Sequence, residues 1–188
     1  MNVVGPEPFT LREYPGLLPG LALSVLLATA LYRYLGRRLG VSGPVAWLLV
    51  ISFGAIIAAT LTPGLEAGQP MLGNARCDVS RLGPAPLADY TALGTTGLNI
   101  LLFVPLGALI ALLPRSRVMA FAVVGAALLP LAIESIQLAA TPLRRACEGG
   151  DVVDNMLGLA LGLAAGWTGV WISRRAAKQL HRGTTPSG

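Results

Sequence analysis

Glu134 and Gln137 stand three residues apart inside an apolar run, so on a helix they share one face. A carboxyl group in such surroundings is either tied down by hydrogen bonds or used to bind or move a proton. Pro130, four residues earlier, is expected to kink that helix and free a carbonyl. A second polar group, Asp151, Asp154 and Asn155, opens the next apolar run. Its plain reading is a helix start, with Asp151 as N-cap and Asp154 favoured by the helix dipole. Asn155 lies one turn beyond Asp151 on the same face, which a cap does not require. Asn99 opens an earlier apolar run, just after Thr95 and Thr96, with Pro105 and Gly107 following. It reads either as a polar helix start or as a third contributor to the same site. Arg144 and Arg145 precede Asp151 and could supply a counter-charge. Glu134 and Asp151 together could form an acid/base pair.

Other chemistries lack their residues. The chain has a single histidine, His181, near its C-terminus, and two cysteines, Cys77 and Cys147, with no Cys-x-x-Cys spacing. No serine–histidine pair and no phosphate loop is visible. No metal site and no cofactor is therefore expected.

The elements that would position these residues are apolar. Of 188 residues, 54% are hydrophobic and 12% charged. A soluble domain carries about a quarter charged residues. Five runs approach or exceed the roughly 18 residues of a spanning helix: Leu17–Leu35, Pro44–Thr62, Gly97–Leu113, Val118–Ala140 and Val152–Ile172. The third is the shortest. Alternating strand patterns are absent, so the expected fold is all-α, a polytopic transmembrane bundle of about five spans. Ala28-Thr29-Ala30 resembles a signal-cleavage site. The long preceding stretch and the following Arg33, Arg37 and Arg38 instead mark a retained helix. On the last run, Gly158, Gly162 and Gly166 form a stripe of small residues suited to close helix packing.

The formal charge is +5. The arginines sit in short clusters between apolar runs, which fits membrane orientation rather than nucleic-acid binding. Nine basic residues fall on one set of loops and five on the other. The nine are Arg33, Arg37, Arg38, Arg115, Arg117, Arg174, Arg175, Lys178 and Arg182; the five are Arg12, Arg76, Arg81, Arg144 and Arg145. The positive-inside rule then places the N-terminus outside and the C-terminus inside. Trp47, Trp167 and Trp171 fall near the cytoplasmic helix ends, as an aromatic belt would. Cys77 and Cys147 both land outside, where disulfides persist. A bridge between them would be worth about 4 kcal/mol in the chain-entropy model; the alternative is two unrelated buried thiols. In this topology Asn99, Glu134, Gln137, Asp151, Asp154 and Asn155 share one depth, near Arg144 and Arg145. A polar pocket open to the extracytoplasmic face is expected, suited to a polar head group or an envelope glycan fragment.

These motifs resemble the VanZ-like family. The elements are Leu61-Thr62-Pro63, Asn99-Ile-Leu-Leu-Phe-Val-Pro105-Leu-Gly107, Glu134-Ser-Ile-Gln137, an arginine before the last helix, and Asp151 four residues ahead of Asn155-Met-Leu-Gly158. They extend over roughly residues 45–172. The chain departs from the pattern where Glu148-Gly149-Gly150 separates the arginines from Asp151, which leaves open whether Arg144 or Arg145 is the counterpart. The resemblance implies three segments: an N-terminal part with an extra helix (1–43), a VanZ-like membrane domain (44–172) and a basic cytoplasmic tail (173–188). It implies a multi-pass protein of the bacterial plasma membrane linked to teicoplanin resistance. The expected partners are membrane lipid and a lipid-linked or glycopeptide-type small molecule, with no nucleic acid; oligomeric state stays open. A binding or accessory role is preferred over an acid/base enzyme acting on an envelope lipid. A lipid or small-molecule transporter is the third alternative, disfavoured by the lack of an inverted repeat.

Overall fold

The computed structural model describes residues 16–63, 77–91, 94–140 and 147–183. Among the described residues six helices follow in order: α1 (Leu17–Leu39), α2 (Gly43–Thr60), α3 (Leu87–Thr91), α4 (Thr95–Ile110), α5 (Arg117–Ala139) and α6 (Gly149–Gly183). Among the described residues there is no strand, only an isolated bridge between Asp78 and Glu148. Hydrocarbon offers no partners for backbone N–H and C=O groups, so spanning segments satisfy them internally as helices. α1, α2, α5 and the Gly149–Gln179 part of α6 are long and apolar enough to cross a membrane.

The third apolar run differs from the five-span expectation. α4 has only 16 residues, about 24 Å against a hydrocarbon core of about 30 Å. Pro114 sets its end. The N–H groups of Leu112 and Leu113 turn back to the carbonyls of Leu109 and Ile110, at 3.1 and 3.0 Å, tightening the chain before the proline. The bundle thus has four helices of spanning length and a shorter apolar helix packed among them. The last helix departs the other way. Its apolar run ends at Ile172, yet α6 continues for 35 residues in all. From Ser173 to Arg182 no glycine or proline interrupts it, and alanine, arginine and lysine favour the helix. The residues expected as a basic tail are therefore largely helical. The Arg175 guanidinium stacks on the Trp171 ring, 3.7 Å from its centroid.

Packing follows membrane rather than aqueous logic. Leu26, Phe121, Val124, Leu128 and Leu131 point outward, while Ser24, Ser52, Glu134, Gln137, Asp154 and Asn155 are buried. The apolar core is small, centred on Ile56, Phe103, Leu106, Ile110, Ile133 and Leu159. α1 packs along α2, and α4 along α6. Small residues permit both contacts. Gly20, Ser24 and Ala28 sit on the α1 face, and Ala58 and Gly54 meet Gly20 and Ser24 from α2. Between α4 and α6, backbones touch. A Cβ on Gly158, Gly162 or Gly166 would run into the carbonyl oxygen of Ile100, Val104 or Ala108, respectively. The glycine stripe read from sequence is thus the α4–α6 seam. Gly162→Leu should separate the helices and cost about 3 kcal/mol or more. Thermal unfolding in detergent would measure this, with Gly169→Leu as control because no atom lies near a Cβ there.

Candidate functional site

The polar residues gather at one end of the bundle because neighbouring helices run in opposite directions. Asn99 is in the first turns of α4, Glu134 and Gln137 in the last turns of α5, and Asp151 and Asn155 in the first turns of α6. All five line one cavity of about 390 Å³. Thr60 at the end of α2 joins them. The remaining wall is apolar: Leu17 and Leu21 of α1, Ala55 and Ala59 of α2, and Leu98, Leu101 and Leu102 of α4. Leu101 is more than half exposed, so the wall continues onto the outer face of the bundle.

Two of the polar side chains are anchored. Gln137 Nε2 donates to the Thr60 carbonyl at 2.9 Å and ties α5 to α2. Glu134 Oε2 accepts from the Glu148 backbone N–H at 2.7 Å and ties α5 to the segment entering α6. Three polar atoms stay unmatched among the described residues: Asn99 Nδ2, Gln137 Oε1 and Asn155 Oδ1. The Gln137 amide orientation is fixed, because only its nitrogen can donate to Thr60. Its oxygen is therefore the free atom.

A strap formed by the loop before α3 packs against the start of α6 and against Glu134. Cys77 and Cys147 form a disulfide with Cα atoms 4.6 Å apart, as expected from their shared side. Next to it, Asp78 N–H donates to the Cys147 carbonyl at 2.8 Å and Gly149 N–H to the Asp78 carbonyl at 2.7 Å. Asp78 Oδ1 also accepts from Ser80 N–H at 2.8 Å, and these Ser80 hydrogen bonds lower the Asp78 pKa. Glu134 lies within 4.8 Å of both sulfurs. Those sulfurs are joined to each other and offer no thiolate to a metal.

The strap carries the residue that sequence reasoning overlooked. Arg81 Nη1 and Nη2 donate to Asp154 Oδ1 and Oδ2 at 3.1 and 2.6 Å, and Nη1 also reaches the Gly83 carbonyl at 3.1 Å. Asp154 is fully buried, whereas Arg81 is about one-third exposed. The hydrogen bond to Asp154 raises the arginine's pKa further. Asp154 therefore does not line the cavity; it anchors the strap. The guanidinium crosses directly over Gly150, where any Cβ would strike it. This explains Gly149-Gly150 at the head of α6: the helix starts bare so that the arginine can pass. Asp151 is correspondingly not an N-cap, since α6 already begins at Gly149. Arg144 and Arg145, expected as counter-charges, lie outside the described residues.

A family model described as VanZ/LLP1 matches residues 66–171. That range takes in α3, α4, α5 and most of α6, and begins after α2. No curated protein and no solved structure matches the chain.

Proposed function

The chain belongs to the VanZ/LLP1 family, and we propose that its cavity binds the polar end of an envelope lipid or a glycopeptide-type ligand at the extracytoplasmic face of the bacterial plasma membrane. The observation that carries this is the cavity, where five polar side chains from three helices face an apolar wall. Unmatched buried polar atoms are costly, and a bound ligand would satisfy them. Orientation is supported by the nine-to-five split of basic residues and by a disulfide at the acidic end. Through such binding the protein would alter glycopeptide access, giving teicoplanin tolerance.

The test compares Glu134→Gln and Asp151→Asn, each made alone, for protein level and teicoplanin susceptibility. A glutamine at 134 still accepts from the Glu148 N–H, so the fold should survive. The expected result is normal membrane level with lost tolerance. Loss of both proteins from the membrane would leave these carboxyls as structural supports and defeat the binding role. A second reading is favoured by one observation, that two carboxyl groups, Glu134 and Asp151, line the same cavity. An acid/base enzyme acting on an envelope lipid would show a changed lipid product in membranes, abolished by either substitution.

A further inference from the structure

We infer that the cavity takes a protonated primary amine carried on a lipid. This inference rests on the ligand-binding role proposed above and names the chemistry of the ligand's polar end. Its basis is an imbalance between acceptors and donors. Gln137 is more than nine-tenths buried and Asn155 almost completely so. Both residues line the cavity, each has a buried amide oxygen without a hydrogen-bond partner, and an amide oxygen accepts only. The Glu134 and Asp151 carboxyl groups stand beside them. Against these, the donor that stands without a close partner among the described residues is Asn99 Nδ2, and the Asn99 side chain faces the Asp151 carboxyl.

Among the described residues no arginine or lysine lines the cavity. Arg81, on the neighbouring strap, spends both its terminal nitrogens on Asp154. A phosphate is recognised by clustered guanidinium or backbone N–H groups, and among the described residues no guanidinium faces the cavity. An ammonium group fits better, since it carries three donors and no acceptor. A sugar hydroxyl fits less well, because each brings an acceptor with its donor. The apolar wall of Leu21, Leu98 and Leu101 leads from the polar end to the lipid-facing surface, which suits an acyl chain.

The test uses the full chain in nanodiscs and reads retained lipid by native mass spectrometry. The probes are phosphatidylethanolamine, phosphatidylcholine and a monoglucosyl diacylglycerol of matched chains. The first two share a phosphate and differ only in whether the nitrogen bears N–H donors. Retention of phosphatidylethanolamine should exceed that of either competitor by about tenfold, the worth of one charge-assisted hydrogen bond. Asn155→Leu, which removes one acceptor, should erase most of that preference, and Asn155→Asp, which keeps an acceptor there, should retain it. Ala55→Phe fills the cavity from the α2 side while replacing no polar group and should abolish retention of all three probes. Equal retention of phosphatidylethanolamine and phosphatidylcholine would overturn the amine assignment and leave the lipid-binding role standing. Preference for the glucolipid would overturn it in favour of hydroxyl recognition. Retention of no probe by the native chain, with Ala55→Phe indistinguishable from it, would overturn the amine assignment together with the lipid-binding role.

Discussion

Arg81→Gln is expected to destabilise the protein by about 3 kcal/mol, because it strands a fully buried carboxylate at Asp154. Breaking a buried ion pair costs roughly 3–5 kcal/mol when one partner is left behind. The lower end applies here, since part of the Arg81 side chain still meets solvent. The double variant Arg81→Met with Asp154→Leu should recover most of the loss, because no charge then stays buried without a partner. Gly150→Ala acts on the same pair from beneath: its methyl group would displace the guanidinium that crosses the helix start. It should cost about 1–3 kcal/mol, with little further loss when combined with Arg81→Gln. Thermal unfolding in detergent separates these cases. A single Arg81 variant as stable as the native chain would mean that the ion pair does not hold the strap.

This pair also marks how far the sequence could be read. Hydropathy and turn signals located every long helix, because a spanning segment has one solution for its backbone polar groups. The convergence of Asn99, Glu134, Gln137, Asp151 and Asn155 was legible for a similar reason. Once adjacent helices alternate in direction, a residue's place along its run gives its depth. Arg81 was not legible that way, since it sits in a loop with no periodicity. Its position followed from two features taken separately: a bridge from Cys77 to Cys147 and an unusual Gly149-Gly150. A bridge there lays residues 78–82 beside the start of α6, and a bare helix start gives the arginine room. Joined, they point to Arg81 as the partner of a carboxylate at the start of α6, whereas Arg144 and Arg145 lie outside the described residues. The assignment of Asp154 to the pocket failed because two carboxylates three residues apart take different roles once one of them meets a guanidinium. The short α4 was partly foreseen from its length, and the extension of α6 was missed because hydropathy does not register a polar helix.

The first helix enters the site without any motif to indicate it, and the second takes part beyond its Leu61-Thr62-Pro63 end. α1 and α2 precede the family match at residues 66–171, yet Leu17, Leu21, Ala55, Ala59 and Thr60 complete the cavity. Their mutual contact relies on small residues, with Gly20 against Ala58 and Gly54 against Ser24. The matched segment thus supplies the carboxyl and amide groups, and the leading hairpin shares the apolar wall with Leu98, Leu101 and Leu102 of α4.

Replacing both cysteines with serine is expected to cost about 4 kcal/mol, since the bridge closes a segment with a sequence separation of 70. The loss should not add to that of Arg81→Gln. Both changes release the same strap, so the triple variant should fall short of the sum by about 1 kcal/mol or more. The bridge also reports orientation. In intact cells a membrane-impermeant maleimide should leave both sulfurs unlabelled, and brief treatment with a membrane-impermeant reductant should expose them. Labelling without reductant would show free thiols on the outer face. Labelling that requires permeabilised cells would place the acidic end inside, and the cavity with it. The inferred ligand would then come from the cytoplasmic leaflet, because Glu134 is bound to the Glu148 backbone beside the bridge and cannot lie on the opposite side of the membrane from it.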